Sequence, residues 1–149
     1  MSEAVQTSDP QAIAEKVRDG MFANDNASKG LGMVIEAVGP GYARISMKVR
    51  ADMLNGFAII HGGFITTLAD SAFAFSCNSY NEQTVASGIS VDFIAPAREG
   101  DVLTAEATEV ALSGRTGVYD IKVTNQAGGT IAVMRGKSYR LKGRVVVPQ

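Results

Sequence analysis

The chain has 149 residues, 46% of them hydrophobic and 19% charged, with a formal net charge of −1. That size suits one domain spanning 1–149 with a substantial core, and that charge gives no general affinity for nucleic acid. One cysteine and one histidine rule out an internal disulfide framework and a Cys/His zinc cluster, so no metal site is expected. Residues 1–11 carry neither a basic n-region nor an apolar h-region. No apolar run approaches the ~20 residues of a membrane span, so a cytoplasmic protein without a membrane partner is expected.

Residues 1–8 are small and polar and are expected to be a loose tail. Asp9-Pro10 reads as N-cap and first helical position, and Ile13, Val17 and Met21 predict a short amphipathic helix ending near Gly20. The apolar run 33–38 predicts a strand, and Gly39-Pro40-Gly41 a turn. Ala43, Ile45, Met47 and Val49 alternate with Arg44, Ser46 and Lys48, the pattern of a half-buried strand that completes a hairpin. Residues 52–60 read as a loop with a turn at Asn55-Gly56. The stretch 61–79 reads as a helix with apolar residues on every side, which predicts burial all round. Strands are then expected over 85–93, 102–110, around Tyr119, Ile121 and Val123, and over 131–141, with Ala127-Gly128-Gly129 as a hairpin turn. Residues 142–149 are expected to be a second loose tail. One apolar helix wrapped by antiparallel strands makes an α+β two-layer domain.

The central helix carries the chemistry. Between His61 and Glu82 the one charged residue is Asp70, and a lone carboxylate in a buried helix is costly unless it is used or paired. Gly62 and Gly63 open the helix, where free N–H groups and the helix dipole favour developing negative charge. Gly62 and Asp70 are eight residues apart, about 12 Å along a helix axis. A reacting carbonyl must lie about 3 Å from both its oxyanion donor and its attacker or base. One chain does not easily bring both to one carbonyl, whereas two antiparallel copies of the helix across a two-fold axis would. A dimer with two shared sites is therefore expected. Cys77 is sixteen residues from His61, about 24 Å along the helix, so the two form no dyad and Cys77 reads as core.

Leu54-Asn55-Gly56, His61-Gly62-Gly63 and Leu68-Ala69-Asp70 resemble the pattern of hotdog-fold acyl-CoA thioesterases, in which an antiparallel sheet wraps a long central helix. Residues 70–79, 116–121, 123–126 and 135–138 are similar to the phenylacetyl-CoA thioesterase (PaaI-type) subgroup of bacterial phenylacetate degradation. The resemblance covers roughly 21–141. One departure is Tyr139, where the subgroup commonly has a histidine.

The resemblance implies roles. Gly62 matches the backbone donor to the thioester carbonyl, and Asp70 the catalytic nucleophile or general base. Asn55 and His61 match residues that position the thioester, the water or the loop. Ser90 matches a hydroxyl that assists the carboxylate in some relatives, and Gly63 belongs to the substrate-binding turn. Each role suits hydrolysis.

The substrate implied is an acyl-CoA, favouring aryl-acetyl thioesters, with coenzyme A part of the substrate and no separate cofactor. Phe64, Phe73 and Phe75 read mostly as core, with one of them a candidate for an aryl pocket. After Asp120 there is no acidic residue but six basic ones: Lys122, Arg135, Lys137, Arg140, Lys142 and Arg144. Arg98, Arg115, Arg135 and Lys137 are the candidates for the coenzyme A phosphates, each with a solvated surface role as the alternative. The assembly implied is at least a homodimer, and a homotetramer by the resemblance. Rival readings are a hotdog enoyl-CoA hydratase or dehydratase and a non-catalytic acyl-CoA binding module.

Overall fold

The computed structural model describes residues 9–148, so the expected loose tail over 1–8 lies outside the described residues. Helix α1, Pro10–Ala23, starts where the Asp9 side chain accepts the Gln11 N–H at 3.1 Å, with proline at the first helical position. It runs past Gly20, because one glycine costs a helix only about 1 kcal/mol. Helix α2, Asn26–Gly30, was not expected: it is a single turn with no period, capped by Asp25 on the Ser28 N–H and hydroxyl. Strands β1, Val34–Gly39, and β2, Tyr42–Lys48, form the first hairpin.

Helix α3 is Gly62–Cys77, and four strands follow: β3, Thr84–Phe93; β4, Val102–Ser113; β5, Thr116–Thr124; and β6, Thr130–Arg140. The six strands make one antiparallel sheet in the order β1-β2-β4-β5-β6-β3. β4 outruns the expected end at 110 because a bulge between Glu109 and Ala111 shifts the alternation and lets pairing continue to Ser113.

The inner face of the sheet holds α3. Ala43, Ile45, Met47, Leu103, Ala105, Ala107, Ile121 and Val123 are buried against Leu68, Ala69, Ala72 and Phe73. The alanines let the helix lie close. Phe73 also packs on Gly136, where an added Cβ would lie 2.5 Å from the ring, and its ring centre is 5.5 Å from that of Tyr119. Truncating such a buried ring to alanine costs about 3–5 kcal/mol.

Burial all round α3 does not hold in the single chain. Thr66, Thr67, Ser71 and Ala74 are only part-buried, and Asp70 is exposed. The strand beside this open side is β3, which has one neighbour and a free edge. Val85, Ile89, Phe93 and the following Ile94 are 43–60% exposed.

The segment 142–148 is a second correction. Buried Asn81 accepts the Val146 and Val147 N–H groups at 3.1 and 2.9 Å and donates to the Val147 carbonyl at 3.1 Å. Val147 also abuts Gly20 of α1, so the tail is docked rather than loose. Among the described residues no helix is long and apolar enough to cross a membrane.

Candidate active site

The loop 54–60 closes on itself before α3 begins. Leu54 bridges Ile60, and the Asn55 N–H donates to the Ile59 carbonyl at 2.8 Å. The Asn55 Oδ1 accepts the Phe57 N–H at 2.9 Å and the Ile59 N–H at 3.4 Å. Asn55 therefore builds the turn; its carbonyl oxygen is spent on the loop rather than presented to a substrate. Ala58 sits at φ 59, a left-handed conformation costing about 1 kcal/mol or more. At the loop tip Phe57 is 83% exposed.

His61 is the N-cap of α3. Its Nδ1 accepts the Gly63 N–H at 3.0 Å, so the imidazole holds the helix start and points Nε2 elsewhere. Gly63, expected in the substrate-binding turn, has its N–H occupied by that cap. The Gly62 N–H has no partner among the described residues. It is one of the unsatisfied donors at a helix N-terminus and lies at the positive end of the dipole. The Phe93 ring covers Gly62 closely: an added Cβ would meet Cζ at 2.8 Å. The outcome is one free donor beside an aromatic wall.

Two turns along α3, Asp70 faces a cleft of about 370 Å³ with Thr66, Thr67, Ala86, Ser87, Gly88 and Ile89. Its carboxylate has no hydrogen-bond or ion-pair partner among the described residues. The residue is exposed as a whole, yet desolvation in the cleft pushes its pKa above the ordinary carboxylate value. The two threonines return their hydroxyls to the Gly62 and Gly63 carbonyls, both at 2.9 Å, so the helix beneath the cleft is tied down. Gly62 and Asp70 are thus on one helix, about 12 Å apart.

Several expected residues lie elsewhere. Ser90 is level with Arg135 in the β3–β6 ladder and lines a different cleft, with Asp120 and Lys122, on the outer face of the sheet. Within one chain the sheet separates it from Asp70. The serine in the Asp70 cleft is Ser87, at a bulge between Ala86 and Gly88 that swings it out of register. Arg135 is also on the outer face, held by Asp120 through bonds of 2.8 and 3.0 Å. Lys137, two residues further along β6, shares that face. Neither reaches Asp70 within the chain. Arg98 is exposed beside the start of α3, since Ala97 accepts the Ile60 N–H at 2.8 Å. Arg115 is at the opposite end, where its Nη1 donates to the Tyr139 hydroxyl at 3.2 Å.

Phe73 and Phe75 are core residues, 1% and 2% exposed, and Phe64 stacks edge-on to His61 at 6.3 Å. The exposed rings at the Gly62 end are Phe57 and Phe93. Cys77 is buried, and burial pushes its thiol up to about 12, so it stays protonated and inert.

An antiparallel sheet wrapped on one long helix, with a free N–H at the helix start and an unpartnered carboxylate midway, defines a hotdog-fold protein equipped for acyl-transfer chemistry. Residues 57–132 match the model of the thioesterase superfamily. The chain is 45% identical over 125 residues to the acyl-coenzyme A thioesterase PaaI of Escherichia coli (strain K12), covering 84% of this chain and 89% of that one. It belongs to the thioesterase superfamily.

Solved structures agree. The E. coli PaaI protein from the phenylacetic acid degradation operon superposes with a TM-score of 0.88 at 42% identity, over 90% of this chain and 97% of that one. A hypothetical thioesterase of Streptococcus pneumoniae TIGR4 with coenzyme A superposes with a TM-score of 0.72 at 26% identity, over 75% and 90%.

Proposed function

We propose that this chain is an acyl-CoA thioesterase that releases a carboxylic acid and free coenzyme A, with aryl-acetyl-CoA thioesters such as phenylacetyl-CoA or its ring-hydroxylated forms as preferred substrates. The observation that carries the reading is the free Gly62 N–H under the Phe93 ring, paired with the unpartnered Asp70 on the same helix. The likeness to E. coli PaaI supports the acyl group, as does the exposed ring of Phe93 beside the donor.

The Gly62 N–H receives the thioester oxygen as it gains charge, a contribution worth about 10²–10³ in rate for an oxyanion donor. Asp70 either takes a proton from the attacking water or attacks the carbonyl itself, giving an anhydride that water then opens. In both routes the C–S bond breaks and the thiolate leaves. Label in the Asp70 carboxyl after a single turnover in ¹⁸O-water identifies the nucleophilic route, because only an anhydride opened at the aspartyl carbonyl puts it there.

The active unit is proposed to be a homodimer, since one chain holds its donor and its carboxylate about 12 Å apart. The free β3 edge and the open side of α3 are the surfaces that support it. By resemblance the dimer is further paired into a tetramer. No cofactor is proposed, and the lone, buried Cys77 fits the cytoplasm. Thiol release measured over a panel of acyl-CoA substrates tests the function. Fastest turnover on straight-chain acyl-CoA would overturn the aryl preference, and no thiol release on any member would overturn the enzyme.

A further inference from the structure

Asn55-Gly56 is the one asparagine–glycine pair in the chain. In such a pair the backbone nitrogen of the glycine can attack the asparagine side chain, because no Cβ crowds the approach. The fold leaves this pair open to that reaction. Asn55 is half-buried and Gly56 is exposed. The Gly56 N–H and the Asn55 Nδ2 have no partner among the described residues, so the attacking nitrogen and the leaving amide have no bond to break first. The Asn55 Oδ1, by contrast, is cradled: it accepts the Phe57 N–H at 2.9 Å and the Ile59 N–H at 3.4 Å. Attack on Cγ drives negative charge onto this oxygen, and two N–H groups already aimed at it stabilise that charge.

Other positions lack one part of this arrangement. Asn125 has the same cradle, its Oδ1 accepting the Ala127 and Gly129 N–H groups at 3.1 and 2.8 Å, but Gln126 follows it. Asn78 is locked on both side-chain atoms: Nδ2 donates to the Ala74 and Thr84 carbonyls, and Oδ1 accepts the Thr84 N–H. Asp19-Gly20 lies inside α1, where the helix holds the glycine N–H.

We propose that Asn55 is a self-modification site, at which the loop ahead of α3 deamidates and thereby slows the enzyme. The Gly56 nitrogen loses its proton to solvent base and bonds to Cγ. The Cγ–Nδ2 bond breaks and ammonia leaves, giving a succinimide. Water opens the ring at either carbonyl, to aspartate or to isoaspartate. One water enters and one ammonia departs, with no change in oxidation state. Aspartate keeps the acceptor oxygen and adds a charge. Isoaspartate routes the backbone through Cβ and Cγ, which adds an atom between Leu54 and Ile60. The loop has no room for it: Ala58 already sits at φ 59, Leu54 bridges Ile60, and the His61 N–H donates to the Met53 carbonyl at 2.8 Å. Lengthening the loop shifts the His61 cap and the Gly62 donor that follows it. The effect on activity rests on the acyl-CoA thioesterase reading; the modification does not.

The test holds the purified protein at mildly alkaline pH and samples it over days. Peptide mapping by mass spectrometry should find acid in place of amide at Asn55 about tenfold or more faster than at Asn125, the cradled asparagine without a glycine. The rate should rise with pH, since the nitrogen must lose its proton. Methyl transfer by a protein isoaspartyl methyltransferase should detect isoaspartate in the same samples, and thiol release should fall as that fraction grows. An added Cβ at Gly56 meets nothing within 4 Å and its φ is not left-handed, so Gly56→Ala keeps the loop. That variant should convert about tenfold or more slowly, because the Cβ narrows the backbone freedom that ring closure needs. Each protein is compared with its own fresh sample.

Conversion at Asn55 no faster than at Asn125, or as fast in Gly56→Ala as in wild type, would overturn the site. Full thiol release from the isoaspartate form would overturn its coupling to the active site. A fresh wild type that releases no thiol from any acyl-CoA would overturn the thioesterase reading instead, and the mass change would still report on Asn55.

Discussion

The ring of Phe93 lies over the α-carbon of Gly62, so close that an added Cβ would sit 2.8 Å from Cζ. Gly62 is therefore required by packing rather than by a left-handed backbone, since it is not among the positive-φ glycines. Gly62→Ala should cost about 1–3 kcal/mol of stability through overpacking, a fall of several degrees in Tm for a chain of this size. Phe93→Ala in the same chain should restore most of the loss. Calorimetry checks both. A Gly62→Ala protein as stable as wild type would show that the ring swings aside freely.

Asp70→Asn keeps the shape of the side chain and removes the basic oxygen. Turnover should fall at least about 10²-fold with the fold intact. In wild type, activity needs the carboxylate form, and burial raises the Asp70 pKa. The acidic limb of the rate profile should therefore be centred above the ordinary value of an aspartate. The stability sign is opposite to that of an ion-paired aspartate. A folded pKa above the unfolded value means that stability falls as pH rises from the unfolded pKa through the folded one. Asp70→Asn should thus melt no lower than wild type at pH 7, with the difference shrinking below the unfolded pKa. A pH-independent difference in Tm would remove desolvation as the cause.

Asn81 ties the C-terminal segment to the body through three side-chain bonds while held at φ 61. Asn81→Gly relieves the backbone strain but loses those bonds; Asn81→Ala loses them and keeps the strain. Both should lower Tm, alanine more than glycine, with a loss of about 1–3 kcal/mol for buried backbone groups left without their partner. Limited proteolysis should then cut within 142–148. Equal Tm values for both variants would mean that the left-handed conformation costs nothing.

The alternating strands and the central helix were legible because burial imposes a period of two on one and a wide apolar face on the other. The Gly62–Asp70 relationship was legible because helix rise is fixed. Three features were not. The bulge at Ser87 moves a serine into the Asp70 cleft, while regular alternation keeps Ser90 on the outer face. Spacing along a strand carries no mark of such a shift. The Arg135–Asp120 pair depends on which strands are neighbours in space. The docking of 142–148 depends on one asparagine some sixty residues earlier in the chain.

Placing Gly62 and Asp70 about 12 Å apart on one helix makes the proposed site a shared one. Two inactive variants test this. Asp70→Asn removes the carboxylate, and Gly62→Pro deletes the N–H. Proline suits the position: Gly62 is the first residue of α3, and His61 before it has φ −66 and ψ 133, the extended conformation that a following proline favours. The new ring must push aside Phe93, which is 53% exposed, so Gly62→Pro should lose stability as Gly62→Ala does, and circular dichroism checks that the fold survives. Dissociated, mixed and reassociated, the two variants should form heterodimers in which one site carries both lesions and the other neither. In a statistical mixture about a quarter of all sites should then be active by the shared-site geometry. If Gly62 and Asp70 served one carbonyl within one chain, every site would keep a lesion and the mixture would stay inactive. Ile89→Lys, which puts a charge beside the free β3 edge, should give a monomer by sedimentation and abolish thiol release together. A fully active monomer, or no recovered activity in heterodimers confirmed by native mass spectrometry, would overturn the shared site.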